Sequence, residues 1–129
     1  MSQEGKDTGT RERKMMEDCL FCRIAGGEME TEFLHADDEV VAFRDIHPQA
    51  PVHFLVVPVK HIVSVLDLTA ADAGLLSRVF EVIREVAEKE GIAATGMRIL
   101  TNVGRDAEQI VQHLHFHVLG GRRLHWPPG

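Results

Sequence analysis

Cysteine is scarce in this chain of 129 residues, which contains only Cys19 and Cys22. Two cysteines this close together cannot build a disulfide framework, so a small disulfide-stabilised fold is excluded. The sequence also lacks an apolar run long enough to cross a bilayer, and its N-terminal segment lacks the apolar region of a secretory signal. We therefore expect a cytoplasmic protein with no membrane partner.

Positive charge is also in short supply, with 14 Lys and Arg against 20 Asp and Glu and a net charge of −6. Because nucleic-acid binding depends largely on basic residues that neutralise phosphates, we expect no nucleic-acid partner. The length suits one domain with a real core. Residues 1–16 have few large aliphatic side chains, which predicts a disordered tail followed by a single domain over residues 17–129.

Short apolar segments and one amphipathic stretch predict an α+β fold. Strands are predicted over residues 33–36, 40–44, 53–57, 98–102 and 114–119. The helix is predicted to begin at Thr69, with Asp72 in the capping-box position, and to end at Gly91. Its apolar stripe consists of Leu75, Leu76, Val79, Phe80, Ile83, Val86 and Ala87. Short connections between these elements favour an antiparallel sheet over a doubly wound parallel one.

Three histidines alternate with apolar residues near the C-terminus. On a β-strand, His113, His115 and His117 would share one face about 7 Å apart. The opposite face would carry core residues, namely Leu114, Phe116 and Val118. Because imidazole titrates near neutral pH, it can act as a metal ligand, a nucleophile or a proton carrier. The pattern therefore indicates either metal binding or chemistry on a phosphate.

This run resembles the motif of the histidine triad (HIT) family at every position. Further similarity to the Hint branch, the histidine triad nucleotide-binding proteins, is carried by residues 43–46, 48–58, 119–122 and 125–129. The resemblance covers roughly residues 18–129. It implies a HIT-like fold in which a five-stranded antiparallel sheet packs with a long central helix and a short N-terminal helix, paired in a homodimer.

The resemblance also implies a hydrolase that cleaves the P–N bond of purine nucleoside 5′-phosphoramidates, such as AMP or GMP joined to an amine. His115 matches the family's nucleophile, which would form a nucleotidyl-histidine intermediate without a catalytic cofactor. His117 and His53 match positions near the phosphate and the leaving group, and which of them donates the proton stays open. His113 completes the set of catalytic histidines.

The family's nucleotide site maps onto several segments of the chain. Asp45 matches the acid that accepts hydrogen bonds from the ribose hydroxyls, while Asn102 and Gln109 match residues of the ribose and phosphate loops. The apolar base pocket corresponds to Phe21, Ile24, Phe43 and Ile46. The resemblance implies that the stiff C-terminal tail carrying Trp126 reaches the leaving-group side of the neighbouring subunit's site.

Two positions in the phosphate loop depart from the Hint pattern. Ile110 occupies a position that is serine in many Hint proteins, and Glu108 stands in place of a glycine. Isoleucine cannot donate the hydrogen bond of a serine, and Glu108 adds negative charge near an anionic substrate. We therefore expect slower turnover or a preference for a different amine.

Cys19 and Cys22 form a C-x-x-C pair. A subset of HIT proteins binds structural zinc through such a pair and two histidines, which correspond here to His61 and His113. Two thiolates and two imidazoles would fill a tetrahedral zinc site without an open position. Two reduced thiols without a metal are the alternative. We expect the remaining histidines to lie on the surface, namely His35, His47 and His125.

Three other functions stay open. The first is dinucleoside polyphosphate hydrolysis, known from another branch of the family, although the Gly120-Gly121-Arg122 continuation and the tail argue against it. The second is a metalloenzyme whose three triad histidines hold a catalytic zinc, although the motif offers no further acidic ligand. The third is a nucleotide-binding or scaffolding module with weak or lost catalysis, which Glu108 and Ile110 would be consistent with.

Overall fold

A five-stranded antiparallel sheet organises the computed structural model, which describes residues 18–129. The disordered tail predicted for residues 1–16 lies outside this range. The strands are β1 (Phe33–Ala36), β2 (Val40–Arg44), β3 (Val52–Pro58), β4 (Met97–Leu100) and β5 (Phe116–Gly120), and the helices are α1 (Leu20–Ala25) and α2 (Ala73–Lys89). The predicted α+β class, with a five-stranded antiparallel sheet, a long helix and a short N-terminal helix, is confirmed.

The strand order is β1-β2-β3-β5-β4, with each neighbouring pair antiparallel. The last strand in the sequence is therefore inserted between β3 and β4. In this register Leu55 of β3 lies opposite His117 of β5. Within the described part of the chain, no helix is long and apolar enough to cross a membrane.

The two faces of the sheet bury different sets of side chains, because successive residues of a strand point to opposite sides. One face packs on α2 through a core that includes Phe54, Val56, Phe116 and Val118 of the sheet and Val79, Val82, Ile83, Val86 and Ala87 of the helix. The other face packs on α1 through Phe21, Ile24, Val41, Phe43, Leu55 and Val57. His53 and His117 belong to this second face.

The predicted capping box is present, although α2 starts one turn later than expected. Thr69 and Asp72 satisfy each other's main-chain amides around a short 3₁₀ turn, Ala70–Asp72, and the α-helix follows from Ala73. The Asp72 carboxylate also accepts a bond from Lys60 Nζ at 2.9 Å. Phe80, predicted as core, is 48% exposed and only flanks Phe116.

Both C-terminal strands are shorter than the alternating pattern predicted. The main-chain amide of Leu114 donates to the Ile62 carbonyl at 2.6 Å, and the Thr101 hydroxyl donates to the His115 carbonyl at 2.7 Å. These partners replace the ladder that would otherwise extend β4 and β5. The prediction of one strand carrying all three histidines is therefore wrong, because only His117 lies within β5.

Candidate active site and metal cluster

His115 lies just before β5 with its ring buried against the edge of Phe21, the two ring centroids being 4.9 Å apart. Its Nδ1 donates a hydrogen bond to the main-chain carbonyl of His113 at 2.7 Å. Burial lowers the pKa of His115, which favours the neutral ring at neutral pH. A neutral imidazole with its proton on Nδ1 has its lone pair on Nε2, so Nε2 is the atom that is free to act as a nucleophile or a metal ligand.

His53 and His117 form a hydrogen-bonded pair whose tautomers are set by the main chain. The Gln49 amide donates to His53 Nδ1 at 3.0 Å, so the proton of neutral His53 is on Nε2. That atom lies 2.9 Å from His117 Nδ1, which therefore accepts, and the proton of neutral His117 is on Nε2. The His117 ring is 5.1 Å from the His115 ring, between centroids.

Burial has the largest effect on the pKa values of His53 and His117. It lowers the pKa of His53, and burial together with the positive charges that His115 and His53 would carry lowers the pKa of His117 to about 4. The Asp45 carboxylate acts in the opposite direction for both rings. Its Oδ2 lies 3.5 Å from His53 Nε2 and 3.8 Å from His117 Nδ1, so it is placed to stabilise an added proton.

Asp45 is half-buried directly after β2, and its Oδ1 accepts the main-chain amide of His47 at 2.7 Å. Asp45, His53 and His117 lie close enough together to hold a metal ion. However, the Gln49 amide places a proton on His53 Nε2, at the atom a metal would need. This arrangement suits a hydrogen-bond chain better than metal binding.

The predicted base-pocket residues divide into a buried group and an exposed one. Phe21, Ile24 and Phe43 belong to the second core, and the rings of Phe21 and Phe43 meet edge to face with centroids 5.7 Å apart. Ile46, in contrast, is 87% exposed beside Asp45. The chain thus presents an uncovered apolar side chain next to the carboxylate.

The loop between β4 and β5 carries four predicted nucleotide-site residues. Asn102 is half-buried shortly after β4, and Ile110 is 88% exposed. Glu108 adopts the left-handed conformation with φ of 57°, at the position where the Hint pattern has glycine. Since a side chain is disfavoured in that conformation, Glu108 costs the loop about 1 kcal/mol.

Gln109 is buried, and its side chain bonds to main-chain groups instead of facing solvent. Its Nε2 donates to the carbonyls of Val63 at 2.7 Å and Val111 at 3.2 Å, while its Oε1 accepts the Gly104 amide at 3.0 Å. Both amide hydrogens are thus used by main-chain groups. Gln109 would therefore affect ligand binding by holding the loop in its conformation.

Cys19, Cys22, His61 and His113 form a cluster whose ligand atoms all lie within 4.8 Å of one another. His113 Nε2 donates to the Pro58 carbonyl at 2.8 Å, which leaves its Nδ1 lone pair facing the two sulfurs at 3.3 and 3.4 Å. His61 Nδ1 is 3.1 Å from the Cys22 sulfur. Ligand atoms around tetrahedral zinc are about 3.5 Å apart, so these spacings fit that ion.

The electrostatics of the cluster also favour a cation. Burial and the neighbouring Cys19 raise the pKa of the Cys22 thiol to about 12, and burial lowers the pKa of His113 to about 4. Without positive charge the Cys22 thiol stays protonated, whereas a divalent cation would stabilise its thiolate. The carbonyl bond to His113 is the kind of partner that orients a metal-bound histidine.

The three remaining histidines differ in their surroundings. His47 and His125 are exposed, as predicted. His35 was predicted as a surface residue without partners, but its side chain is only 16% exposed and its Nε2 lies 2.6 Å from Asp37 Oδ2. Arg78 from α2 binds the same carboxylate at 2.8 Å. His35 is partly buried because Arg78, which is distant in the sequence, packs on the same carboxylate.

Two residues that shape the site were not predicted for that role. The Gln49 amide fixes the His53 tautomer, and the Thr101 hydroxyl holds the His115 carbonyl. The prolines on both sides of Gln49 were the available signal, since they indicate a constrained connection. No comparable signal marked Thr101.

Comparisons with known proteins find matches that cover most of the chain. A family model described as "Scavenger mRNA decapping enzyme C-term binding" matches residues 18–124. The chain is 43% identical to the purine nucleoside phosphoramidase of Escherichia coli over 110 residues, which cover 85% of this chain and 92% of that protein. It is also 43% identical to an uncharacterised HIT-like protein of Synechococcus elongatus over 89% of this chain and the full length of that protein.

Two solved structures are similar to this chain in both fold and sequence. A HIT family hydrolase from Legionella pneumophila superposes with a TM-score of 0.85 at 43% identity, covering 87% of this chain and all of that one. A histidine triad protein from Clostridium difficile has a TM-score of 0.80 at 42% identity, covering 84% of this chain and 94% of that one.

Proposed function

Because this chain belongs to the histidine triad family of hydrolases, we propose that it cleaves the P–N bond of purine nucleoside 5′-phosphoramidates. The observation that carries the proposal is the hydrogen bond from His115 Nδ1 to the His113 carbonyl. It leaves the lone pair of His115 on Nε2, next to a second histidine with an N–H to donate. The 43% identity to a purine nucleoside phosphoramidase supports the substrate class.

The first step would be attack of His115 Nε2 on the α-phosphorus. As the new N–P bond forms, the bond from phosphorus to the amine breaks, and the amine leaves with a proton from the Nε2 of protonated His117. The negative phosphate favours that protonated form, and Asp45, at 3.8 Å from His117 Nδ1, would stabilise it further.

In the second step, water would attack the phosphorus of the nucleotidyl-histidine. The bond from phosphorus to His115 breaks, the proton of the water returns to His117, and the nucleoside monophosphate is released. While His117 is neutral, the hydrogen bond from His53 Nε2 to His117 Nδ1 holds the His117 ring with its Nε2 proton available to the substrate. His53 thus acts by positioning the proton donor.

The nucleoside would bind beside the same histidines. Asp45 would accept hydrogen bonds from the ribose hydroxyls, and the exposed Ile46 would be covered by the base. Phe21, Ile24 and Phe43 would form the wall behind it. Asn102, half-buried at the start of the loop, would position the ribose or phosphate. Glu108 and Ile110 would slow the reaction or select the amine.

We assign structural zinc to Cys19, Cys22, His61 and His113, since their donor set and spacing fit that ion with no open position. We also propose a symmetric homodimer. Strand β4 pairs with β5 on one side only within the described residues, and Ile99 on it is 39% exposed. An uncovered edge of this kind can pair with a second copy, and the molecular mass in solution tests this.

The experiment that tests the function is a time course with AMP joined to an amine. We expect release of AMP by the wild type and loss of release by His115→Ala, whereas His47→Ala, which removes an exposed ring, should be unaffected. Acid quenching during turnover should trap a nucleotide on His115. Undiminished turnover by His115→Ala, or an adduct mapped to another residue, would refute the mechanism.

A further inference from the structure

The main chain of His115 is held by a side chain at the point where the pairing of β4 and β5 stops. The last residue pair between these strands joins Leu100 to His117, and β5 itself begins at Phe116. Beyond that pair, the Thr101 hydroxyl donates to the His115 carbonyl at 2.7 Å. Among the described residues, Thr101 is the one whose side chain binds the main chain of His115.

His115 is therefore fixed at two points. Its ring is held through Nδ1 by the His113 carbonyl at 2.7 Å, and its main chain is held by Thr101. The position of Nε2 depends on both, since the main chain sets where the side chain begins and the ring bond sets its direction. Loss of the Thr101 bond would thus allow Nε2 to shift even though no group near that atom has changed.

Thr101 also connects His115 to the segment proposed to hold the nucleotide. It is half-buried, directly after β4 and directly before Asn102, the residue assigned to the ribose or phosphate. One side chain thus joins the residue proposed as nucleophile to the start of the loop that would position its target.

We propose that Thr101 is a positioning residue for the reaction, whose hydroxyl holds the main chain of His115 so that Nε2 can reach the α-phosphorus. The inference rests on the proposed function and adds a residue outside the set of histidines. The hydroxyl takes no part in bond formation or cleavage. Its loss should therefore lower kcat and leave KM nearly unchanged.

Thr101→Val tests the proposal, because valine keeps the branched shape of threonine and lacks the hydroxyl. A displacement of about 1 Å near the reacting atoms can cost about a hundredfold in rate, so a shift of about half that size corresponds to about tenfold. We expect kcat for AMP joined to an amine to fall about tenfold in this variant. Thr101→Ser keeps the hydroxyl and should retain most of the wild-type kcat.

Thr95→Val is the matched control, since Thr95 is exposed in the turn before β4 and its replacement should leave kcat unchanged. Each variant is assayed below its Tm, and Thr101→Ala replaces Thr101→Val if valine prevents folding. An unchanged kcat without the hydroxyl, an equal loss in Thr101→Ser, an equal loss in Thr95→Val, or a change in KM alone would each overturn the proposal.

The tautomer of His115, measured by ¹⁵N NMR of the histidine rings, tests the same role without turnover. We expect the proton on Nδ1 in the wild type and in Thr101→Ser, and a larger fraction on Nε2 in Thr101→Val because the bond to the His113 carbonyl is weakened. If the wild type cleaves no nucleoside phosphoramidate, the proposed function fails. The spectra then decide the role of Thr101, and identical His115 signals in the wild type and Thr101→Val would overturn it.

Discussion

The Gln109 side chain joins two main-chain groups of the loop before His115, those of Gly104 and Val111, to the Val63 carbonyl outside that loop. Its replacement by leucine tests how much the loop depends on it. Leucine has a similar size but no polar atoms, so Gln109→Leu removes all three hydrogen bonds while filling most of the space. The two short bonds, to the Val63 carbonyl at 2.7 Å and from the Gly104 amide at 3.0 Å, carry most of the effect.

Each buried polar group left without a partner costs about 1–3 kcal/mol. Two such groups give about 2–6 kcal/mol, and burial of the apolar leucine side chain offsets about 1–2 kcal/mol of this. We expect the free energy of unfolding to fall by about 1–4 kcal/mol in total. For a domain of this size, that corresponds to a decrease in Tm of about 4–15 °C.

Urea unfolding and calorimetry measure this change, and Gln112→Leu is the control. Gln112 is exposed and makes one bond, from its Nε2 to the Gln109 carbonyl at 2.8 Å, so its replacement should cost less than about 1 kcal/mol. The KM for the nucleotide should rise in Gln109→Leu only. Equal stability losses in the two variants would refute the assignment of Gln109 as the residue that holds the loop.

Three other perturbations have expected outcomes. Purified protein should carry about one zinc per chain, and chelation or Cys22→Ser should lower Tm; a metal-free preparation with the same Tm would contradict the site. Burial holds the pKa of His117 at about 4, below its ordinary value of 6.5. The unfolded chain therefore binds more protons between these values, and stability should fall as the pH decreases from 6.5 to 4, with a shallower slope in His117→Asn. Glu108→Gly should raise the free energy of unfolding by up to about 1 kcal/mol in urea titrations, since glycine tolerates the left-handed backbone.

Local signals predicted much of the fold. The bounds of β1 and β2 match the predicted strands over residues 33–36 and 40–44, and the Thr69–Asp72 capping box forms as expected. Both kinds of signal depend on residues within a few positions of each other. The strands and the capping box can therefore be predicted from the sequence before any tertiary contact is known.

The details that could not be predicted depend on distant partners. The alternation of histidines indicated a strand from residue 114, but the Leu114 amide binds Ile62 and the region before Phe116 leaves the ladder. The His113 ring contacts Cys22 and Cys19, which lie 91 and 94 positions away in the sequence. The resemblance to a known family identified these positions, whereas their side-chain directions required the fold.

The alternation of apolar side chains and His117 along β5 also affects which strand register forms during folding. Phe116 and Val118 face α2, while His117 faces the opposite side, in a register that pairs Leu55 with His117. A slip of one residue would exchange the two sets and place an imidazole among aliphatic side chains without a hydrogen-bond partner. Such burial costs several kcal/mol, which is a large part of the stability of a small domain. The side chains proposed for chemistry therefore also penalise the misregistered sheet, and a chain that folded with that error would be destabilised as well as inactive.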